Sequence, residues 1–289
     1  MSLLRKMANA LPDWMYISLQ FKKIMGHFPN LKHPKTFNEK LQWLKLNDRK
    51  DLYTKLADKY AVHDYVKEIL GEDHLVPLYG VWDRAEEIKW EDLPERFVLK
   101  CTHDGGSVIV CRNKATFDQD AAAKKLNSAL KRNAYSYGRE WPYKNIVPRI
   151  IAEQYLDNGD DAGLIDYKFY CFGGEPKYLY VSKGLENHAT ATITFYELNG
   201  KRAPFQRTDY PQTEQDHVFP ENYSVMVDYA RTIAKKVNNS FVRVDLYNVD
   251  GHIYFSEITF TPCSGYMKMK PEEWDRKLGD LIVLPFETK

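Results

Sequence analysis

The sequence has no long apolar stretch. No uninterrupted run of Ala, Val, Ile, Leu, Met, Phe, Trp, Tyr or Cys exceeds four residues. A spanning helix needs ~20 such residues and a secretory signal ~7–15. The chain is therefore expected to be cytoplasmic, with no transmembrane segment. An excess of one charge is also missing. Lys and Arg total 41 against 40 Asp and Glu, a formal net charge of +1. That balance supplies no broad attraction to nucleic acid or anionic membrane, and no nucleic-acid partner is expected. Cysteine is scarce: Cys101, Cys111, Cys171 and Cys263 form no C-x-x-C pair, and the eight histidines show neither H-x-x-x-H nor H-x-H spacing. A thiolate zinc site and a disulfide framework are thereby disfavoured. The Walker and Rossmann glycine motifs are absent. The only D-x-D, Asp118-Gln119-Asp120, opens a helix, where capping accounts for its acids.

What is present suits a globular protein. The 289 residues are 44% hydrophobic and 28% charged, enough for one large or two ordinary domains at ~150 residues each. Residues 1–70 read as helices. After Pro34, Phe37, Leu41 and Leu44 recur at helical spacing behind Thr36 and Glu39, an S/T-x-x-E capping box. From residue 75 the pattern turns to strands at 75–82, 97–101, 107–111 and 150–156, with a helix over 118–131. Further strands are expected at 167–172, 177–182, 191–198, 241–247 and 252–259, with a helix at 224–237 and a long polar loop over 201–222.

Several residues suit phosphate and cation chemistry. Alternation sets Arg243 and Asp245 on one strand face, and Glu257 and Thr259 on one face of the next. A strict two-residue Asp250-Gly251 loop pairs 245 with 256. A three-residue loop or one bulge pairs it with Glu257 instead, and the carboxylates converge. Two such oxygens with open positions suit Mg²⁺; the same acids also suit a salt-bridged solvated face. Lys100 ends a strand before His103-Asp104-Gly105-Gly106-Ser107. This arrangement offers ammonium and backbone donors to phosphate, or is an ordinary hairpin. Glu153-Gln154-Tyr155-Leu156 ends a strand, where backbone groups and an acid suit a nucleoside. Lys168, in Asp166-Tyr167-Lys168-Phe169, either faces a cleft or faces solvent. Thr259-Phe260-Thr261-Pro262-Cys263-Ser264-Gly265 is rich in hydroxyls and backbone donors for an anion.

The order of these pieces resembles the ATP-grasp superfamily, and within it the TupA-like family of bacterial polysaccharide loci, often labelled glycosyltransferase-like. The resemblance rests on Pro34–Trp43, Ala57–Val62, Phe97–Gly106, Arg149–Glu153, Asp166–Phe172, Arg243–Tyr247 and Glu257–Phe260, and spans about residues 30 to 275. It implies an α+β ATP-grasp fold: a helical region 1–74, then lobes 75–156 and 157–289 gripping ATP. By resemblance, Lys100 reaches the α- and β-phosphates and Asp104, Gly105, Gly106 and Ser107 form a lid. Glu153, Tyr155 and Leu156 hold adenine, and Lys168 lies near the γ-phosphate. Asp245 and Glu257 hold Mg²⁺, with Thr259 standing where the family's third ligand is Asn. Gly105 stands where the family loop has Ser, which makes the lid more flexible.

The activity this implies is ATP- and Mg²⁺-dependent carboxylate–amine ligation through an acyl-phosphate, with Lys168 and Arg243 as catalytic residues. The expected partners are small-molecule or saccharide substrates, a uronic acid and an amine, in capsule or cell-wall polysaccharide synthesis. Transient association with membrane-bound glycan assembly is a further expectation. Arg202 and Arg207, in the 201–222 loop, are candidates to contact the acceptor. The rival readings are a glycosyltransferase and a non-catalytic carbohydrate-binding protein.

Overall fold

The computed structural model describes residues 10–159, 163–184 and 190–285. Helices come first: α1 (Asp13–Met25), α2 (Phe37–Asn47), α3 (Asp51–Ala57) and α4 (Val62–Leu70). Helix α2 begins as its motif dictates. Thr36 Oγ1 accepts the Glu39 N–H at 3.2 Å, and Glu39 Oε2 accepts the Thr36 N–H at 3.2 Å. Such a cap contributes about 1 kcal/mol. Phe37, Leu41 and Leu44 join the core with Tyr170, Phe172 and Phe241; Phe37 meets Phe241 edge-on at 5.0 Å. The polar stripe Asn38, Gln42 and Lys45 is buried as well, and its partners bear on the site.

A four-stranded antiparallel sheet has the order β1-β4-β2-β3, from β1 (Leu78–Trp82), β2 (Phe97–Cys101), β3 (Ile109–Cys111) and β4 (Ile150–Gln154). Between β3 and β4 lie α5 (Gln119–Leu130) and α6 (Tyr135–Gly138). Asp118 Oδ1 accepts the Ala121 N–H at 2.9 Å, so the D-x-D acid caps α5. Phe97, Leu99 and Cys101 pack towards Leu126 and Ala129 of α5, and pleating turns Lys100 to the other face. Three strands of this sheet are shorter than expected. The first begins at Leu78, β3 begins at Ile109 because Ser107 closes the preceding turn, and β4 ends at Gln154.

The second sheet has five antiparallel strands in the order β10-β9-β5-β6-β7: β5 (Asp166–Phe172), β6 (Glu175–Lys183), β7 (Thr192–Glu197), β9 (Phe241–Val249) and β10 (His252–Thr259). Helix α7 (Tyr223–Val237) shares a core with Phe169, Val181, Val244 and Leu246, joined by Tyr53, Leu56, Val62 and Val66 of α3 and α4. Helices α2, α3 and α4 are thus built into this sheet's cores. The 201–222 segment is largely a loop, as expected, but contains β8 (Gln206–Arg207), which pairs with β11 (Met269–Lys270) ahead of α8 (Glu273–Asp280).

The β9–β10 register resolves the two alternatives left by the sequence. Asp250 and Gly251 both have positive φ, 51° and 80°, and close a two-residue hairpin pairing Val249 with His252. A bulge between Phe255 and Glu257 then shifts the ladder, and Asp245 pairs with Glu257. On the other side of β9, Asp245 pairs with Lys168, and Lys168 with Tyr180. One row across the sheet therefore reads Glu257, Asp245, Lys168, Tyr180.

Candidate functional site

That row supports a buried network of charges. Asp245 has no exposed surface. Its Oδ1 accepts from Arg243 Nε at 2.7 Å; its Oδ2 accepts from Arg243 Nη2 at 2.6 Å and from Lys168 Nζ at 2.7 Å. Arg243 Nη2 also donates to Glu257 Oε1 at 2.7 Å, and Lys168 Nζ lies 3.2 Å from Asp166 Oδ1. Burial works against the Lys168 charge, but Asp166 and Asp245 hold its pKa well above the usual lysine value. Arg243 is held high in the same way by Asp245 and Glu257. Burial opposes the Glu257 charge too, yet Lys59, Arg243 and Lys168 hold its carboxyl far below the ordinary range. Lys168, Arg243 and Glu257 are thus held towards their charged forms, while complete burial pushes the Asp245 carboxyl above its ordinary value against the pull of Arg243 and Lys168.

The oxygens of Asp245 and Glu257 converge on one cationic position, occupied by Arg243 Nη2. Thr259 Oγ1 donates to Glu257 Oε1 at 3.3 Å, so the third expected ligand lies beside the pair. The donor set fits a hard cation replacing the guanidinium nitrogen, with water or phosphate oxygens completing its shell. Among the described residues, no three His, Cys, Asp or Glu side chains group as metal ligands.

The four-stranded sheet supplies the facing groups. Lys100 Nζ is ion-paired with Glu153 of the neighbouring β4. Burial disfavours its charge, but Glu153, with Tyr247 and Glu257 of the other sheet, raises its pKa above the usual value. Glu153 is therefore committed to Lys100. In the turn after β2, Asp104 Oδ1 accepts from Ser107 N–H at 3.2 Å and Ser107 Oγ at 2.5 Å, while Ser107 Oγ accepts the Cys101 N–H at 2.8 Å. Gly105 and Gly106 are exposed, neither has positive φ, and a Cβ on either meets nothing within 4 Å. Tyr155 lies under the Arg96 guanidinium at 5.0 Å, and Leu156 is buried.

Lys59, in the Ala57–Val62 segment and not among the residues expected at the site, links the two sides. Its Nζ donates to the Asp104 carbonyl at 2.6 Å and lies 3.8 Å from Glu257 Oε2. Its signal was available: a lysine in a motif whose neighbour Asp58 accepts the N–H groups of Tyr60 and Ala61 and thereby fixes the turn. A second unforeseen group is the support of the 261–265 segment. Cys263, Ser264 and Gly265 all have left-handed backbone, at φ 52°, 53° and 69°. Gln42 Nε2 donates to the Gly265 and Ser264 carbonyls at 2.7 and 3.0 Å. Lys45 Nζ donates to Ser264 O at 2.6 Å and Gly138 O at 2.8 Å, and Asn38 Nδ2 to Met267 O at 2.8 Å. Glu140 accepts from the hydroxyls of Thr261 and Ser264.

A cavity of about 390 Å³ lies elsewhere, lined by Val181, Lys183, Thr194, Tyr196 and His217. Val181 pairs with Tyr167, not Lys168, so this cavity opens on the opposite sheet face. It is not the charged site. Among the described residues, no helix is long and apolar enough to cross a membrane.

Solved structures resemble this chain at low identity. The ADP complex of N5-carboxyaminoimidazole ribonucleotide synthetase is 16% identical, over 77% of this chain and 50% of its own, with a TM-score of 0.46. An L-amino acid ligase from Bacillus licheniformis is 13% identical, over 79% and 49%, with a TM-score of 0.44. The ATP complex of D-alanine–D-alanine ligase from Bacillus anthracis is 14% identical, over 78% and 63%, with a TM-score of 0.43. The chain spans about half the length of the first two. No curated protein matches it. The model of the TupA-like ATPgrasp family matches residues 39–283, most of the chain and every strand described above, and the protein belongs to that family.

Proposed function

We propose that this protein is an ATP-dependent carboxylate–amine ligase acting on a cell-surface polysaccharide or its precursor, joining an amine or amino acid to a uronic acid. Family membership supports the class. One observation of this chain carries the site: the Asp245 and Glu257 oxygens meet at a single cationic point, with Lys168 beside it and Lys100 and Lys59 facing it. In this reading residues 75–156 and 157–289 are the two lobes and 1–74 a helical support.

Lys100 and Lys168 neutralise the triphosphate, and the Asp104–Ser107 turn covers it with backbone donors. The segment after Gln154, with Tyr155 and Leu156, receives the base. A carboxylate oxygen of the acceptor attacks the γ-phosphorus and ADP leaves. The amine nitrogen then attacks the acyl carbon, phosphate leaves with the acyl oxygen, and the amine proton passes to solvent. Such chemistry asks for positioning and charge neutralisation more than for an activated side-chain nucleophile. Arg243, once released from the carboxylates, offers its fork to the oxygens in transit. Asp245 and Glu257, with Thr259, would hold Mg²⁺, which when bound supplies charge stabilisation for phosphate oxygens.

ADP release tests the proposal. With MgATP, glucuronate or galacturonate and an amino-acid mixture, a condensation product of the expected mass should accompany ADP. Glu257→Gln should abolish ADP formation while leaving the fold intact. Release of UDP from a nucleotide sugar, without ADP from ATP, would favour glycosyl transfer and overturn it.

A further inference from the structure

Next to the charged row stands a guanidinium that the phosphoryl-transfer roles leave unused. Arg207 lies on β8, paired with Met269, and is buried. Its guanidinium carbon lies 5.9 Å from the Tyr180 ring and 5.3 Å from the Tyr210 ring. The Arg243 guanidinium lies 5.8 Å from the same Tyr180 ring. Tyr180 thus has both cations within reach, one step along the row from Lys168.

The two arginines differ in how they are neutralised. Arg243 is held by carboxylates of its own sheet. Arg207 has Asp209, two residues along, with Nε to Oδ1 at 2.6 Å and Nη2 to Oδ2 at 2.5 Å. The Asp209 side chain is 54% exposed, against 8% for Arg207. A buried fork is therefore capped by an exposed loop carboxylate in the bidentate geometry that any carboxylate adopts on arginine. Because Asp209 is more than half exposed, an incoming carboxylate can reach the fork and exchange with it in the same geometry. Arg207 Nη2 also donates to Cys263 Sγ at 3.1 Å. The Cys263 residue is exposed on the left-handed segment at the edge of the site, while its sulfur faces Arg207 and burial there pushes the thiol up, so alkylation is followed at alkaline pH.

We propose that Arg207 is the docking point for the carboxylate of the acceptor substrate, with Asp209 as its displaceable internal occupant and Cys263 lining the approach. The inference rests on the ligase reading for the identity of the acceptor. The carboxylate specificity itself rests on this geometry. Arg207 is a specificity-determining residue in this account, and it hands the carboxylate towards Tyr180 and Arg243.

Cys263 supplies a test that needs no turnover. Cys101, Cys111 and Cys171 are buried, so alkylation of the native chain reads Cys263. The probes are iodoacetate, which carries a carboxylate, and neutral iodoacetamide. With each, a sulfur–carbon bond forms, iodide leaves, and the thiol proton goes to solvent. Peptide mass spectrometry gives the rate ratio of the two reagents at Cys263, with the urea-unfolded chain as reference.

The native ratio should favour iodoacetate by about tenfold over that reference, as a bidentate charge-assisted contact implies. Glucuronate should slow iodoacetate alkylation and glucose should not. Arg207→Gln should return the ratio to the unfolded value. Asp209→Asn should raise it further, which keeps the proposal testable even where Arg207→Gln fails to fold. A native ratio equal to the unfolded one, a preference that survives Arg207→Gln, or a Cys263 closed to both reagents would each overturn the proposal. Absence of ADP release would count against the ligase reading and leave this ratio standing.

Discussion

Two loops flank the charged row and are built in opposite ways. The Asp104–Ser107 turn is closed by its own side chains, apart from the Lys59 bond to Asp104 O, and its two glycines project into open space. The Thr261–Gly265 segment adopts three successive left-handed residues and is held by Gln42, Lys45 and Glu140 from distant elements. A turn with few outside contacts opens at low free-energy cost, whereas a strained backbone persists only where its surroundings over-determine it. The contrast leaves the first loop freer to open and makes the second a fixed surface, which is what the proposed covering of a nucleotide by the first would need.

The largest effect should come from the row between the loops. Asp245→Asn leaves Arg243 and Lys168 short of a buried counter-charge. Urea unfolding should show a loss of about 3–5 kcal/mol. A loss below about 1 kcal/mol would mean that the row is not the rigid base the comparison assumes.

The pinned loop should carry its own pH signature. Burial draws Lys45 down to about 8, against the pull of Glu140. Between about pH 8 and the ordinary lysine value, the unfolded chain keeps a proton that the folded chain releases. The Lys45 contribution to stability therefore rises with pH across that window, by up to about 1.4 kcal/mol per unit. Below pH 8 the full penalty remains. The difference in unfolding free energy between the natural chain and Lys45→Gln, measured from pH 8 to 10, should show this slope.

Smaller effects separate the loops directly. Gln42→Ala removes the donor to the buried Gly265 carbonyl, while Ser264 O keeps Lys45, and should cost about 1–3 kcal/mol. Gly106→Ala meets no atom and no positive φ, so its stability should stay within about 0.5 kcal/mol. Its effect should fall instead on ATP turnover, through the stiffer backbone. Equal stability losses in the two variants would break the comparison.

Much of this arrangement was legible in the sequence, for physical reasons that stop at identifiable points. Thr36 and Glu39 specify a helix start locally, and the capping box forms as read. Alternation placed Asp245 and Glu257 on candidate faces, but a two-residue hairpin alone would have separated them. The bulge between Phe255 and Glu257, which no local residue pattern announces, brings them together. Lys100 was found as a strand-end lysine, while its pairing with Glu153 depends on the β2–β4 register. The buried polar stripe of α2 was hidden because polar side chains on a helix ordinarily face water; the carbonyls that Asn38, Gln42 and Lys45 serve at 264–267 reach them only through tertiary contacts. Lys59 escaped notice for the same reason, its partners being fixed by tertiary contacts.

Hydrogen–deuterium exchange with and without MgATP tests the central claim most directly. The account predicts protection in two places at once: the Asp104–Ser107 turn of one sheet and the 241–259 hairpin of the other. Protection confined to one sheet, or none at saturating MgATP, would contradict the claim that a nucleotide is held between them.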